Sequence, residues 1–145
     1  MAENSRQTFF IPGPLPGLNE LVNAAKGRYG RHEYTRMKNE CEEKVILFAH
    51  AIHPVAIVRF QFHWMEKDKR RDLDNISAGG RKIILDALVR GGKIPGDGWK
   101  NVRGWNDEFG VSKTAPGVYV TIIDIETLVS SSFPRPLKGE NDVPD

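Results

Sequence analysis

Residues 55–90, VAIVRFQFHWMEKDKRRDLDNISAGGRKIILDALVR, contain a strand, a charged loop and a helix in succession. In the first ten of them apolar side chains occupy every second position, at Ala56, Val58, Phe60, Phe62 and Trp64. This alternation predicts a half-buried strand over 55–64. The helical spacing of Ile76, Ile83, Ile84, Ala87 and Leu88 predicts a helix over Asn75–Arg90, which Gly91 and Gly92 end.

Further elements are predicted on both sides of this unit. Thr8–Ile11 is a short strand that the Pro- and Gly-rich residues 12–17 stop, and residues 24–32 form a basic loop. A helix over Glu33–Ile52 carries one apolar stripe, which includes Cys41, and Val118–Ile125 is the last strand. The order predicts an α+β fold in which two main helices pack on a small mixed β-sheet. We expect one domain over 1–128 and a disordered tail over 129–145.

Composition excludes two classes of protein. The single cysteine rules out a disulfide framework within the chain, and no apolar run approaches the roughly 20 residues that cross a bilayer. We therefore expect a cytoplasmic protein with no membrane partner.

Charge is unevenly distributed, although the net charge is only +2. Basic residues bunch in two places, at Lys67, Lys69, Arg70 and Arg71 and at Arg28 and Arg31. Such patches suit a polyanion, and we predict that these six side chains bind DNA phosphates. An ordinary solvated charged face is the alternative, and charge alone does not decide between the two.

Three aspartates are candidate metal ligands. Asp72 and Asp74 stand two positions apart at the end of an extended segment, where such side chains point to one side. Close carboxylates repel, and magnesium removes the conflict because it binds through few carboxylates plus substrate phosphate. Asp97 lies in a Gly-flanked loop from which it could reach the same helix start. The alternatives are that Asp74 or Asn75 caps the helix and that Asp97 is a turn residue.

A polar stripe on the second helix supports this interpretation. Asn75, Lys82 and Asp86 share one face that begins at the carboxylates. Lys82 would place a cation on the helix face that begins at these carboxylates. Alternatively, Lys82 and Asp86 form a surface ion pair worth about 0.3–0.5 kcal/mol.

These motifs together resemble a known family. The chain is similar to the RusA crossover-junction endodeoxyribonucleases of phages and prophages in RDLDN (71–75), in Lys82 three residues before LDAL (85–88), in the following glycines and in an acid shortly before Val102. The resemblance covers roughly Phe9–Ile125. It implies a RusA-like homodimer that requires magnesium, or manganese as a substitute. Its activity would be to resolve four-way (Holliday) junctions in branched DNA by paired nicks, in recombination and repair.

The resemblance also assigns residues. The catalytic metal carboxylates are Asp72, Asp74 and Asp97, and Asn75 and Asp86 are supporting residues. The catalytic lysine is Lys82 when counted back from Asp86, whereas counting forward from Asp74 leads to Ala78, which has no amine. One departure is Gly96, because many members have a second acid there.

Two other functions stay open at this stage. One is a DNA- or junction-binding protein of RusA-like fold that does not cut. The other is a small phage regulatory protein whose acids are only caps and turns.

Several apolar and small residues extend the hypothesis. Trp64 is expected in the core, while Trp99 and Trp105 are candidates for stacking on bases. Leu85 and Val89 are candidate dimer residues, and the Gly79–Gly80 pair suggests close approach of DNA or a partner.

Overall fold

Four strands and three helices make up residues 5–27 and 30–125, the part of the chain that the computed structural model describes. In chain order they are β1 (Arg6–Pro12), α1 (Leu18–Lys26), α2 (Gly30–Phe48), β2 (Val58–Glu66), α3 (Leu73–Arg90), β3 (Val102–Val111) and β4 (Gly117–Asp124). The predicted α+β class is confirmed. The predicted tail, 129–145, lies outside the described residues.

The strands form one mixed sheet in the order β1-β4-β2-β3. Strand β4 is antiparallel to both β1 and β2, whereas β3 is parallel to β2. A parallel neighbour requires a crossover connection, and α3 provides it. Strands β2 and β3 therefore begin at the same end of the sheet and finish at the other.

The core lies between the sheet and the helices. The inward side chains of β2, which are Val58, Phe60, Phe62 and Trp64, are at most 3% exposed and join one cluster with those of α3. On the other side of β2, Arg59, Gln61 and His63 are exposed. The alternation over 58–64 thus predicted the buried side correctly. The strand begins at Val58 and not at residue 55, and Ala56, which was assigned to the buried side, is exposed while Val55 is buried. Among the described residues no helix has the length and apolar character needed to span a bilayer.

The prediction of a basic loop over 24–32 was wrong. Helix α1 runs to Lys26, and α2 begins at Gly30. The short α1 buries only Leu21 and Ala24, and the Glu20 side chain accepts a hydrogen bond of 3.1 Å from the Gly17 backbone N–H at its start. About two and a half turns with so few buried positions leave little periodicity to detect.

Strand β3 was also missed. Val102 is the only buried residue of β3, and the strand lies at the edge of the sheet. Its sequence therefore lacks the alternation of a half-buried strand. Gly104 lies in this strand with a φ of +139°, which favours glycine. Backbone pairing with β2 stabilises β3 despite these features.

Internal packing explains the glycine pair of α3. A Cβ on Gly79 would lie 2.6 Å from backbone atoms of Pro16 and Leu18, and one on Gly80 would lie 2.5 Å from the Trp64 ring. The pair therefore lets α3 approach α1 and the sheet. Leu85 is only 7% exposed and belongs to the core of its own chain, so it is not a surface for dimerisation.

One residue of α2 bears on reactivity. Cys41 packs partly buried against the core, and burial raises the pKa of its thiol. A raised pKa leaves little thiolate, which is consistent with an unreactive packing residue.

Candidate functional site

Asp72 and Asp74, which we call the acid pair, lie at the N-terminal end of α3. Asp72 is the N-cap residue in extended backbone, and its side chain makes no capping hydrogen bond. Helix α3 begins at Leu73, two residues earlier than predicted, so Asp74 is already helical. The same-side argument needs extended backbone at both positions and therefore does not apply.

Both members of the acid pair are exposed and unpaired. Neither carboxylate has a hydrogen bond or ion pair to any of the described residues. The helix dipole favours negative charge at this end. A carboxylate without a protein partner is available to a cation from solution.

Asn75 has a structural partner. Its side-chain Oδ1 accepts a hydrogen bond of 2.8 Å from the backbone N–H of Asn19 in α1. The amide also lies against Gly17, where a Cβ would be 2.8 Å away. Asn75 thus joins the starts of α1 and α3, beside the acid pair.

The basic residues that precede α3, which are Lys67, Lys69, Arg70 and Arg71, differ in whether they are bound within the chain. Arg71 donates two hydrogen bonds to Glu66, of 2.9 and 2.8 Å, and further ones to Glu20 and to the Leu15 carbonyl. These bonds and the charges of both glutamates raise the pKa of Arg71 against the opposing effect of burial. Arg71 thus has an intramolecular role, and its predicted contact with DNA stays a prediction.

The other basic residues of this segment are more available. Arg70 lies 3.5 Å from Asp68, but its side chain is 86% exposed. Lys67 and Lys69 are exposed and have no ion pair within 5–27 and 30–125. Lys69 lines a depression of about 450 Å³ together with Asp72.

The second predicted basic patch is only partly described. Arg31 lies in the first turn of α2 and is exposed, whereas Arg28 lies outside the described residues.

Lys82 is paired within its own helix, with Asp86, and Asp86 is in turn paired with Lys38 of α2. Its Nζ lies 3.3 Å from Asp86 Oδ1, and Lys38 Nζ lies 2.9 Å from Asp86 Oδ2. Burial of Asp86 opposes its ionisation, yet the hydrogen bond from Lys38 and the charges of Lys38 and Lys82 hold the pKa of Asp86 below its usual range. Lys82 follows Asp72 by ten residues, about 15 Å along the helix axis. The structure does not bring it to the acid pair.

Asp97 lies at the opposite end of the sheet from the acid pair. The neighbouring Gly98 accepts hydrogen bonds from the backbone N–H groups of Asn101 and Val102, and the Asn101 carbonyl accepts one from Val58 N–H. Asp97 is thereby held near the first residue of β2. Arg71, next to Asp72, is bound to Glu66, the last residue of β2. The nine residues of β2 span about 26 Å.

The three predicted carboxylates therefore do not meet within one chain. Across the described part of the chain, no three Asp, Glu, His or Cys residues lie close enough to share a metal ion. Magnesium needs only one or two carboxylates besides water and phosphate, and the acid pair satisfies that smaller requirement by its donor chemistry.

Sequence reasoning missed a network on α3 and β3. Arg81 donates to both carboxylate oxygens of Asp107 at 2.8 Å, and Trp64 Nε1–H donates to Asp107 at 2.9 Å. The Arg81 guanidinium also lies 4.4 Å from the centre of the Trp105 ring. Three of these residues lie on β2 or β3, so recognising β3 as a strand beside β2 was the signal needed.

No protein-family model matches the chain, and no curated protein matches its sequence.

Proposed function

We propose that this chain is a magnesium-dependent endodeoxyribonuclease that cuts four-way DNA junctions by paired nicks. The observation that carries the proposal is the acid pair, exposed and unpartnered, directly after a segment in which Lys67 and Lys69 are also unpaired. The helix dipole alone would favour these acids, but it does not account for the unpaired lysines directly before them. Free acids beside free cations suit a site that holds a metal ion against a phosphate.

The acid pair would hold the magnesium ion. When bound, the ion supplies a lowered pKa for a coordinated water and positive charge against the phosphorane-like transition state. Lys67, Lys69 and Arg31 position the DNA by its phosphates without reading sequence. Manganese is expected to substitute for magnesium.

The position of Asp97 supports a proposal on assembly, provided that Asp97 is a ligand of the same metal ion. Because Asp97 lies at the far end of β2 in its own chain, it joins an acid pair only from a second copy. A two-fold dimer also matches the approximate symmetry of a four-way junction and allows two coordinated cuts. We therefore propose a homodimer, active on branched DNA in the cytoplasm.

Lys82 has a lesser role in this scheme. The Lys82 side chain is exposed, so its ion pair with Asp86 is weak and contributes at most about 1 kcal/mol to stability. The ammonium is thus free to turn toward a DNA phosphate.

A labelled synthetic four-way junction tests the proposal. Incubation with magnesium should give symmetric nicks on a denaturing gel, and chelation should abolish them. Asp72→Asn and Asp74→Asn should each abolish cutting while junction binding is retained or tightened, because a repulsive charge is removed. Glu108→Gln, at an exposed position on β3, is the matched control and should cut normally. Unchanged cutting by both acid variants would place the chemistry elsewhere.

A non-cutting DNA-binding protein is the second candidate. The separation of Asp97 from the acid pair favours it, since a single protomer lacks the complete set of acids. Retarded migration of the junction on a native gel, with no nick in magnesium or manganese, would select this candidate. Absence of junction affinity at moderate salt would instead favour a regulatory protein.

A further inference from the structure

Two exposed tryptophans line the same surface depression. Trp99 and Trp105 line a depression of about 500 Å³ with Asp97, Arg103 and Gly104, and we call it the tryptophan cleft. Trp99 is 95% exposed and Trp105 is 42% exposed. Leaving a whole indole in water forgoes about 1.5–3 kcal/mol or more of burial energy, so a ligand that covers it gains that contribution.

One side of the cleft is held in place. Trp105 packs beneath the Arg81 guanidinium, whose two hydrogen bonds to Asp107 are each 2.8 Å long. Asp107 is in turn fixed by the indole N–H of the buried Trp64. An aromatic ring that is already ordered loses little entropy when a second ring stacks on it.

Unpaired positive charge surrounds the cleft. Lys100, Arg103 and Arg59 are exposed, and none has a carboxylate partner within the described ranges. Arg59 is held near the cleft by a hydrogen bond of 3.2 Å to the Arg103 carbonyl. Asp97 is the one acid among the residues that line the cleft. The local balance therefore attracts an anion.

We infer that the tryptophan cleft binds an unstacked base of DNA, with Trp99 and Trp105 as stacking surfaces and Lys100 and Arg103 on the flanking phosphates. Aromatic faces beside free cations are the chemistry by which proteins hold unpaired nucleic acid. The inference rests on the proposed function for its ligand, DNA. It adds that the protein prefers DNA with unpaired bases, such as the centre of a junction, over continuous duplex.

Tryptophan fluorescence of the full chain tests the cleft directly. A single-stranded oligothymidylate is titrated into the protein with EDTA present, so no cutting occurs. Quenching is expected from the two exposed indoles, since Trp64 is only 3% exposed. A blunt duplex of equal length should quench less.

Variants assign the signal to residues. Trp99→Ala should weaken oligothymidylate binding by about 5- to 150-fold, the effect of one lost base stack. Leu47→Ala is the matched control, because Leu47 is 64% exposed on α2 and away from the cleft. Neutralising Lys100 and Arg103 should flatten the salt dependence by up to about one unit per lost contact.

The outcomes separate the two proposals. Quenching without junction cutting would refute the nuclease and leave the cleft standing, whereas cutting without quenching would refute the cleft alone. Unchanged oligothymidylate affinity in Trp99→Ala also overturns the inference. If that variant instead becomes monomeric in sedimentation with its affinity intact, a second copy covers Trp99 and not a base.

Discussion

A mixture of two inactive variants should recover activity if Asp97 acts across a dimer. One variant carries Asp72→Asn with Asp74→Asn, and the other carries Asp97→Asn. About 26 Å of strand β2 lies between the two positions in one chain, far beyond the 2.0–2.1 Å bonds of a magnesium ligand. Each variant alone should therefore be inactive, because every site of its homodimer lacks an acid.

The expected recovery follows from counting sites. After exchange of subunits in an equal mixture, about half of the dimers are mixed, and each mixed dimer has one intact and one doubly altered site. About a quarter of the wild-type sites are then active. A supercoiled plasmid that extrudes a cruciform reports this: wild-type protein linearises it by two nicks, whereas the mixture should give mainly open circles.

Two results would refute the reasoning. No nicking in the mixture, with subunit exchange verified by a size tag, would mean that Asp97 and the acid pair act within one chain. Full cutting by Asp97→Asn alone would remove Asp97 from the site. If the mixture is active, the tryptophan cleft of one subunit lies beside the acid pair of the other.

Three further predictions concern stability. Asp86→Asn should lower the melting temperature at pH 7. Because the pKa of Asp86 is depressed in the folded protein, its contribution to stability is present above the unfolded pKa of about 4 and is lost as the pH falls through the folded pKa. The difference from wild type should therefore vanish in strong acid, and a deficit that does not change with pH would contradict this. Gly80→Ala should destabilise the protein by about 1–3 kcal/mol in urea, since its Cβ would lie 2.5 Å from the Trp64 ring, and an unchanged midpoint would show that the ring moves freely. Arg71→Met leaves the carboxylates of Glu66 and Glu20 without their partner and should lower the free energy of unfolding by about 1–3 kcal/mol. A loss of DNA affinity with no loss of stability would instead place Arg71 at the DNA interface.

The central strand and helix could be predicted because burial decides them. Strand β2 alternates strictly since one side faces the core, and α3 shows its apolar stripe for the same reason. Helix α1 and strand β3 are held differently. Close backbone approach at Gly79 fixes α1, and main-chain pairing with β2 fixes β3, and neither leaves a side-chain period in the sequence.

The candidate site was predictable in its residues but not in its arrangement. The acid pair needs only its own motif and the start of a helix. The place of Asp97 depends on the direction of β3, because a strand parallel to β2 begins at the end opposite the acid pair. With β3 missed, no sequence pattern could report that direction. Arg71 shows the same limit, since a basic residue on a charged loop gives no sign of the two glutamates that bind it.

The contacts of Arg71 order the backbone at the acid pair before a cation binds there. Arg71 directly precedes Asp72, and its guanidinium joins the end of β2 to α1 and to the Leu15 carbonyl. The backbone that presents Asp72 is thus ordered before any ion arrives, so an ion restricts little further motion there. The Ile76 amide hydrogen, which is bonded to the Asp72 carbonyl at 3.1 Å, should exchange slowly, and adding magnesium should slow it only slightly further.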